Sequence, residues 1–149
     1  MLRFERSVWI AAPVENVFAF HERPDALQRL TPPGQPVTLV SHTGGIKTGA
    51  RVVLRLGFGP LSIGWVALHT GYEQNRFFED TQVSGPFRSW KHQHCFVEEG
   101  PGTRLTDRIE FELFGGRAAE VLFGRLIRAQ LEKMFAYRHK VTEAAVRAG

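Results

Sequence analysis

Between Val37 and Leu113 the sequence offers one β-type run after another, at 37–42, 50–58, 61–73, 75–83, 88–98 and 104–113. The segments between them are turns and short loops, rich in Gly and Pro. Parallel neighbours need a connection of a dozen or more residues, so these strands are expected to meander, each antiparallel to the last. The final run shows the pattern cleanly. Leu105, Asp107, Ile109, Phe111 and Leu113 alternate with Thr106, Arg108, Glu110 and Glu112. In the run at 50–58, Val52, Leu54, Leu56 and Phe58 form the apolar set. Such a sheet has one face that must be covered.

The cover lies downstream. Gly115 and Gly116 end the sheet, and from Ala118 to Val146 there is no proline and only Gly124 interrupts. Leu122, Phe123, Leu126, Ile127, Gln130, Leu131, Met134 and Phe135 recur near helical spacing, which predicts one long amphipathic helix. Upstream, residues 3–10 read as a strand. Pro13 suits the first turn of a helix, where a missing N–H costs nothing, and Val14, Val17 and Phe18 then share a face. Pro24 breaks that helix, and 25–30 form a second short one. The order is strand, two short helices, six strands and a long helix. That is an α+β plan, expected to be one domain over residues 1–149. One helix laid across a curved sheet covers it incompletely, and the gap left between them is a natural ligand site.

Composition excludes several alternatives. At 149 residues with 43% hydrophobic and 23% charged content the chain has material for a real core. No apolar run approaches the roughly 18–20 residues that span a bilayer, and the charged N-terminus makes a poor signal peptide. Cys95 is the sole cysteine, so neither a disulfide framework nor a Cys-rich zinc site is available, and a cytoplasmic setting is expected. The net charge of +4 is spread along the chain without a basic block, so nucleic-acid binding is not expected.

One strand carries the chemistry. In "SWKHQHCF" the side chains of Trp90, His92, His94 and Phe96 share one face, opposite Lys91, Gln93, Cys95 and Val97. The two histidines lie roughly 6.5–7 Å apart at Cα by strand rise. By parity, Phe78, Asp80 and Gln82 on the preceding strand, and Asp107 and Phe111 on the following one, face the same way. Trp65 and His69 share a face of the strand at 61–73. These faces, if all inward, gather Asp80, Gln82, His92, His94 and Asp107 in one cavity.

Here the residues resemble a known superfamily. "WIAAPVENVFAF" is similar to the opening of the START-like or polyketide cyclase/dehydrase proteins (SRPBCC). "FFEDTQVSGPFRSWKHQHCF" and "GTRLTDRIEFEL" resemble a bacterial branch often labelled cyclase/dehydrase or cell-division-inhibitor-like. The resemblance implies the helix-grip fold: a curved antiparallel sheet of about seven strands wrapped around the C-terminal helix, enclosing an apolar cavity. It also implies that Leu126, Ile127, Gln130 and Met134 wall that cavity.

Three readings of the His–Asp set stay open. It is a hydrogen-bonded cluster fixing strand register, a polar pole that recognises a ligand, or a metal site or catalytic dyad. Catalytic candidates are His92, His94, Asp107 and Asp80, with a histidine moving a proton and an acid orienting it. No nucleophile motif, HExxH or phosphate-binding loop is present. No metal and no cofactor are expected. The expected function is carriage or sensing of a small hydrophobic molecule such as a lipid, quinone or polyketide. A cyclase/dehydratase-type enzyme is the alternative, and a non-catalytic regulatory partner of another protein is a third reading.

Overall fold

A computed structural model describes residues 1–148. The elements are β1 (Leu2–Ile10), α1 (Val14–Glu22), α2 (Ala26–Leu30), β2 (Val37–Thr43), β3 (Arg51–Leu56), β4 (Ile63–Glu73), β5 (Phe77–Ser84), β6 (Ser89–Glu99), β7 (Gly102–Glu112) and α3 (Gly116–Ala148). One seven-stranded sheet runs in the order β1-β7-β6-β5-β4-β3-β2, antiparallel throughout. The β4–β5 ladder shifts register twice, with Val83 of β5 extra opposite Val66/Ala67 and Thr70 of β4 extra between His69 and Gly71; such bulges bend a strand and increase its twist.

Local chemistry sets the boundaries. Pro13 occupies the N-cap of α1, whose buried face is Val14, Val17, Phe18, Phe20 and His21. Arg23 is extended, as the residue before a proline prefers. β6 and β7 join through a two-residue turn, Glu99 pairing with Gly102. Gly100 there takes φ of 59°, in the left-handed region that favours glycine. Gly102 is fixed by close approach: a β-carbon there would meet the Ile10 carbonyl and the Trp9 ring.

The parity of β6 is as expected. Trp90, His92, His94 and Phe96 are buried, whereas Lys91 and Val97 are exposed. Phe58 departs from expectation. β3 stops at Leu56, Gly57 turns at φ of 103°, and a 3₁₀ turn at Gly59–Leu61 follows. Phe58 is therefore outside the alternation and 75% exposed.

The core has two parts. One gathers Ile10, Val17, Phe18, Phe96, Leu105 and Val146 at the α1 end. The other gathers Phe4, Trp90, Ile109, Phe111, Leu131 and Phe135 beneath α3. Each fully buried side chain of this kind stabilises the fold by about 1.5–3 kcal/mol. α3 packs on β1 and β7 in the sheet and on α1 and α2 beside it. The contacts of the helix are thus concentrated at one edge of the sheet, and β3, β4 and β5 curve away from it. A gap opens between them.

Candidate functional site

That gap is a cavity of about 520 Å³. Its apolar wall combines Val52, Leu54 and Leu56 of β3, Trp65 and Ala67 of β4, and Leu126, Ile127, Leu131 and Met134 of α3. α2 and its flanks add Ala26, Leu27 and Leu30. Aromatic rings close one region, with Trp65 5.1 Å from Trp90 and Phe87 4.7 Å from Trp90, centroid to centroid. A polar cluster also lines it, with His69 of β4, Asp80 of β5, His92 and His94 of β6 and His21 of α1, and α3 adds Gln130 and Arg138 to the lining.

Asp107 organises this pole from behind the wall. His92 Nε2 donates to its Oδ1 at 2.8 Å, and His94 Nδ1 lies 2.9 Å from the same oxygen. His139 Nε2 donates to Oδ2 at 2.6 Å. Three imidazoles therefore share one carboxylate that is 3% exposed. The network continues outward. Arg6 Nη1 lies 2.7 Å from His139 Nδ1, and Arg6 Nε donates to Glu132 at 3.0 Å. A guanidinium has no acceptor, so His139 Nδ1 carries the lone pair and Nε2 the proton. Toward the cavity, His94 Nε2 lies 3.5 Å from Asp80 Oδ2. The His92 and His94 rings lie 3.7 Å apart, and Phe78 stacks on His94 at 3.9 Å.

Electrostatics separates the two histidines of β6. Burial and the neighbouring His94 push His92 below its ordinary value, so it is neutral. With Nε2–H held by Asp107, its Nδ1 is a bare acceptor. Burial opposes charge on His94 too, but hydrogen bonds to Asp107 and Asp80 outweigh it and raise that ring. For Asp107, burial favours the neutral acid. The hydrogen bonds from His139, His92 and His94 overcome that and hold it well below the usual carboxylate range. Asp80 is likewise lowered, against its burial, chiefly by the His94 hydrogen bond. His21, buried beside His94, is pushed down to about 4.

Of the residues singled out from sequence, Trp65, His69, Phe78, Asp80, Trp90, His92, His94, Leu126, Gln130 and Met134 line the cavity. Four do not. Gln82 turns away to its own hairpin, where Nε2 donates to the Phe87 carbonyl at 2.8 Å and Oε1 accepts from the Phe87 N–H at 3.2 Å. Phe96 packs on Phe18 at 5.0 Å in the α1 end of the core. Phe111 is fully enclosed behind Trp90 and Phe87. Asp107 lies one layer deeper than expected and reaches the cavity only through the histidines.

The sequence reading missed His21, His139 and Arg138. The signal for the latter two was the helical period itself, since 131, 135, 138 and 139 continue one face. Asp80, His92 and His94 each offer a potential metal-ligand atom within 4.8 Å of the others. Each histidine, however, already commits one nitrogen to Asp107, and His94 uses the other on Asp80. Chemically, the site can accept a proton or hydrogen bond at His92 Nδ1, while the N–H groups of His94 are taken up by Asp107 and Asp80.

No curated protein matches this chain. Among solved structures, the protein TTHA0849 from Thermus thermophilus aligns with TM-score 0.75 and 18% identity over 99% of this chain and 98% of that one. A nucleoside-diphosphate sugar epimerase from Corynebacterium glutamicum aligns with TM-score 0.75 and 27% identity, over 99% of this chain but 29% of that chain. A point mutant of norcoclaurine synthase from Thalictrum, in complex with a transition-state analogue, aligns with TM-score 0.75 and 12% identity over 99% and 94%. The low-identity likenesses establish the START/Bet v1-like, helix-grip architecture. The family model described as polyketide cyclase / dehydrase and lipid transport matches residues 10–135, and the chain belongs to that family.

Proposed function

We propose that the protein binds a small, largely apolar molecule in the 520 Å³ cavity, holding one polar end of it against His92, His94 and Asp80. The observation that carries this is the lining itself: aliphatic and aromatic side chains from β3, β4 and α3 dominate it, and a His–Asp cluster on β5 and β6 supplies a few convergent polar groups. Ligand pockets are built that way. The described chain acts as one binding unit. Cys95, half-buried on the far side of β6, suits a reducing compartment, and we place the protein in the cytoplasm.

A cavity-filling substitution tests this. Ala67 is buried and lines the wall. Trp65 and Trp90 fluorescence should report saturable binding of apolar probes, and Ala67→Phe should abolish it while circular dichroism stays unchanged. Probe binding that survives in a folded Ala67→Phe protein would place the ligand elsewhere.

A second reading is acid–base turnover of the bound molecule, favoured by one observation. His92 is neutral, its Nε2–H is fixed by Asp107, and its Nδ1 is left as a bare base, which is the state a general base requires. The norcoclaurine synthase structure shows this architecture hosting an enzyme. If the cavity catalyses, His92→Gln should keep ligand affinity and lower turnover by about 10²–10⁴-fold. If it only binds, the same change should alter affinity modestly and reveal no converted product.

A further inference from the structure

Arg138 is the least explained polar residue of the molecule. It projects from α3 into the cavity wall, with its guanidinium 5.1 Å from the Phe135 ring one turn earlier on the same helix. Its Nε is enclosed and has no hydrogen-bond partner among the described residues. The nearby acids are committed elsewhere: Asp107 to three histidines, Asp80 to His94, and Glu132 to Arg6. Burial lowers Arg138 from its ordinary value, with only the more distant charges of Asp107 and Asp80 opposing. A buried donor left unsatisfied is costly, the more so on a charged group, and such a group calls for a partner the described residues do not supply. A second enclosed nitrogen without a partner, His69 Nδ1, lines the same cavity.

We propose that the cavity's ligand is an acid whose carboxylate is received by the Arg138 guanidinium, with its apolar body against β3, β4 and the aromatic wall. The planar fork of arginine matches a carboxylate with two parallel N–H···O bonds. Phe135 beneath it holds the fork in place. A neutral carbonyl would accept one hydrogen bond but bring no charge to pair with the guanidinium. This inference rests on the binding reading above and narrows its ligand to amphipathic monoacids.

The test compares decanoate with decanol at pH 7, read by displacement of the neutral fluorophore N-phenyl-1-naphthylamine and by cavity tryptophan fluorescence. A charge-assisted hydrogen bond contributes about 1.5–3 kcal/mol, so the wild type should prefer decanoate by about 10–100-fold. Arg138→Met, which keeps length and apolar stem, should bind both probes equally. Arg138→Lys should retain part of the preference. Equal binding of acid and alcohol by the wild type overturns the carboxylate assignment and leaves the binding reading standing. A preference that persists in folded Arg138→Met also overturns it. Displacement of the fluorophore by neither probe overturns both.

Discussion

His139 Nε2 donates to Asp107 Oδ2 across 2.6 Å, tying the C-terminal helix to β7 in the middle of the fold. The same carboxylate takes His92 and His94 on its other oxygen. One acid thereby fixes the spacing between helix and sheet and the orientation of both cavity histidines.

Asp107→Asn should therefore be among the most damaging single changes. Asparagine keeps one acceptor oxygen and places an N–H₂ where a histidine N–H also points. Removing one partner of a buried ion pair costs about 3–5 kcal/mol. Urea unfolding at pH 7 should show a loss of that order, and a loss under about 1 kcal/mol would mean that the three histidines find other partners. The Asp107 contribution is present above the unfolded carboxylate value and disappears as pH falls through its depressed folded value.

Acidification should act earlier through His21. Its folded value of about 4 lies below its ordinary 6.5, so between those limits the unfolded chain binds the extra proton. Stability then rises with pH across that window, and His21 alone accounts for roughly 3 kcal/mol of loss on going from pH 7 to 4. His69 and His92 act in the same direction. His94 is opposite: its raised value gives a contribution complete below 6.5 and lost as pH rises through the folded value. His21→Gln should flatten the wild-type pH profile between 4 and 6.5, measured as the difference between paired unfolding curves. Parallel profiles would contradict the burial argument.

The Arg6 contact makes a spectroscopic prediction. Nitrogen-15 NMR should find His139 protonated at Nε2 and bare at Nδ1, because Arg6 Nη1 donates to Nδ1. Arg6→Gln removes a charged donor and should loosen this assignment. A proton found on Nδ1 in the wild type would be incompatible with the Arg6 geometry.

Trp90→Ala should cost both stability and binding. Trp90 is 8% exposed and touches Trp65, Phe87 and Phe111. Truncating a packed aromatic costs about 3–5 kcal/mol. Binding of apolar probes should weaken at temperatures where the variant is still folded. Unchanged affinity there would remove Trp90 from the ligand contact.

What the sequence made legible was periodic. Period two along β6 puts Trp90, His92, His94 and Phe96 on one face, and nothing local competes with that alternation. The α3 stripe from Leu126 to Met134 followed the helical period in the same way. The expectation failed where the β5–β6 pairing ran out or a strand ended. Gln82 lies beyond the last β5–β6 pair, Thr81 with Lys91, so its side chain is free to serve the turn. Phe58 lies beyond Leu56. Depth was illegible for a different reason. Alternation says which face a side chain takes, and does not say whether it forms the wall, as His92 does, or stands behind it, as Asp107 and Phe111 do. His139 and Arg138 were hidden because their partners lie on other elements, at a register between helix and sheet that local spacing does not encode.

The chain that links Arg6 to His139 joins residues 133 positions apart. A ribosome releases the chain from its N-terminal end, at about 5–20 residues per second. β1 emerges well before its ladder partner β7 and its helical partner α3. Until they do, β1 has no sheet neighbour, and Asp107 has no His139. The site is thus completed only when segments distant in sequence meet. A nascent chain of this protein must be kept from associating through that waiting strand, and a message truncated within α3 would yield a sheet without its seal.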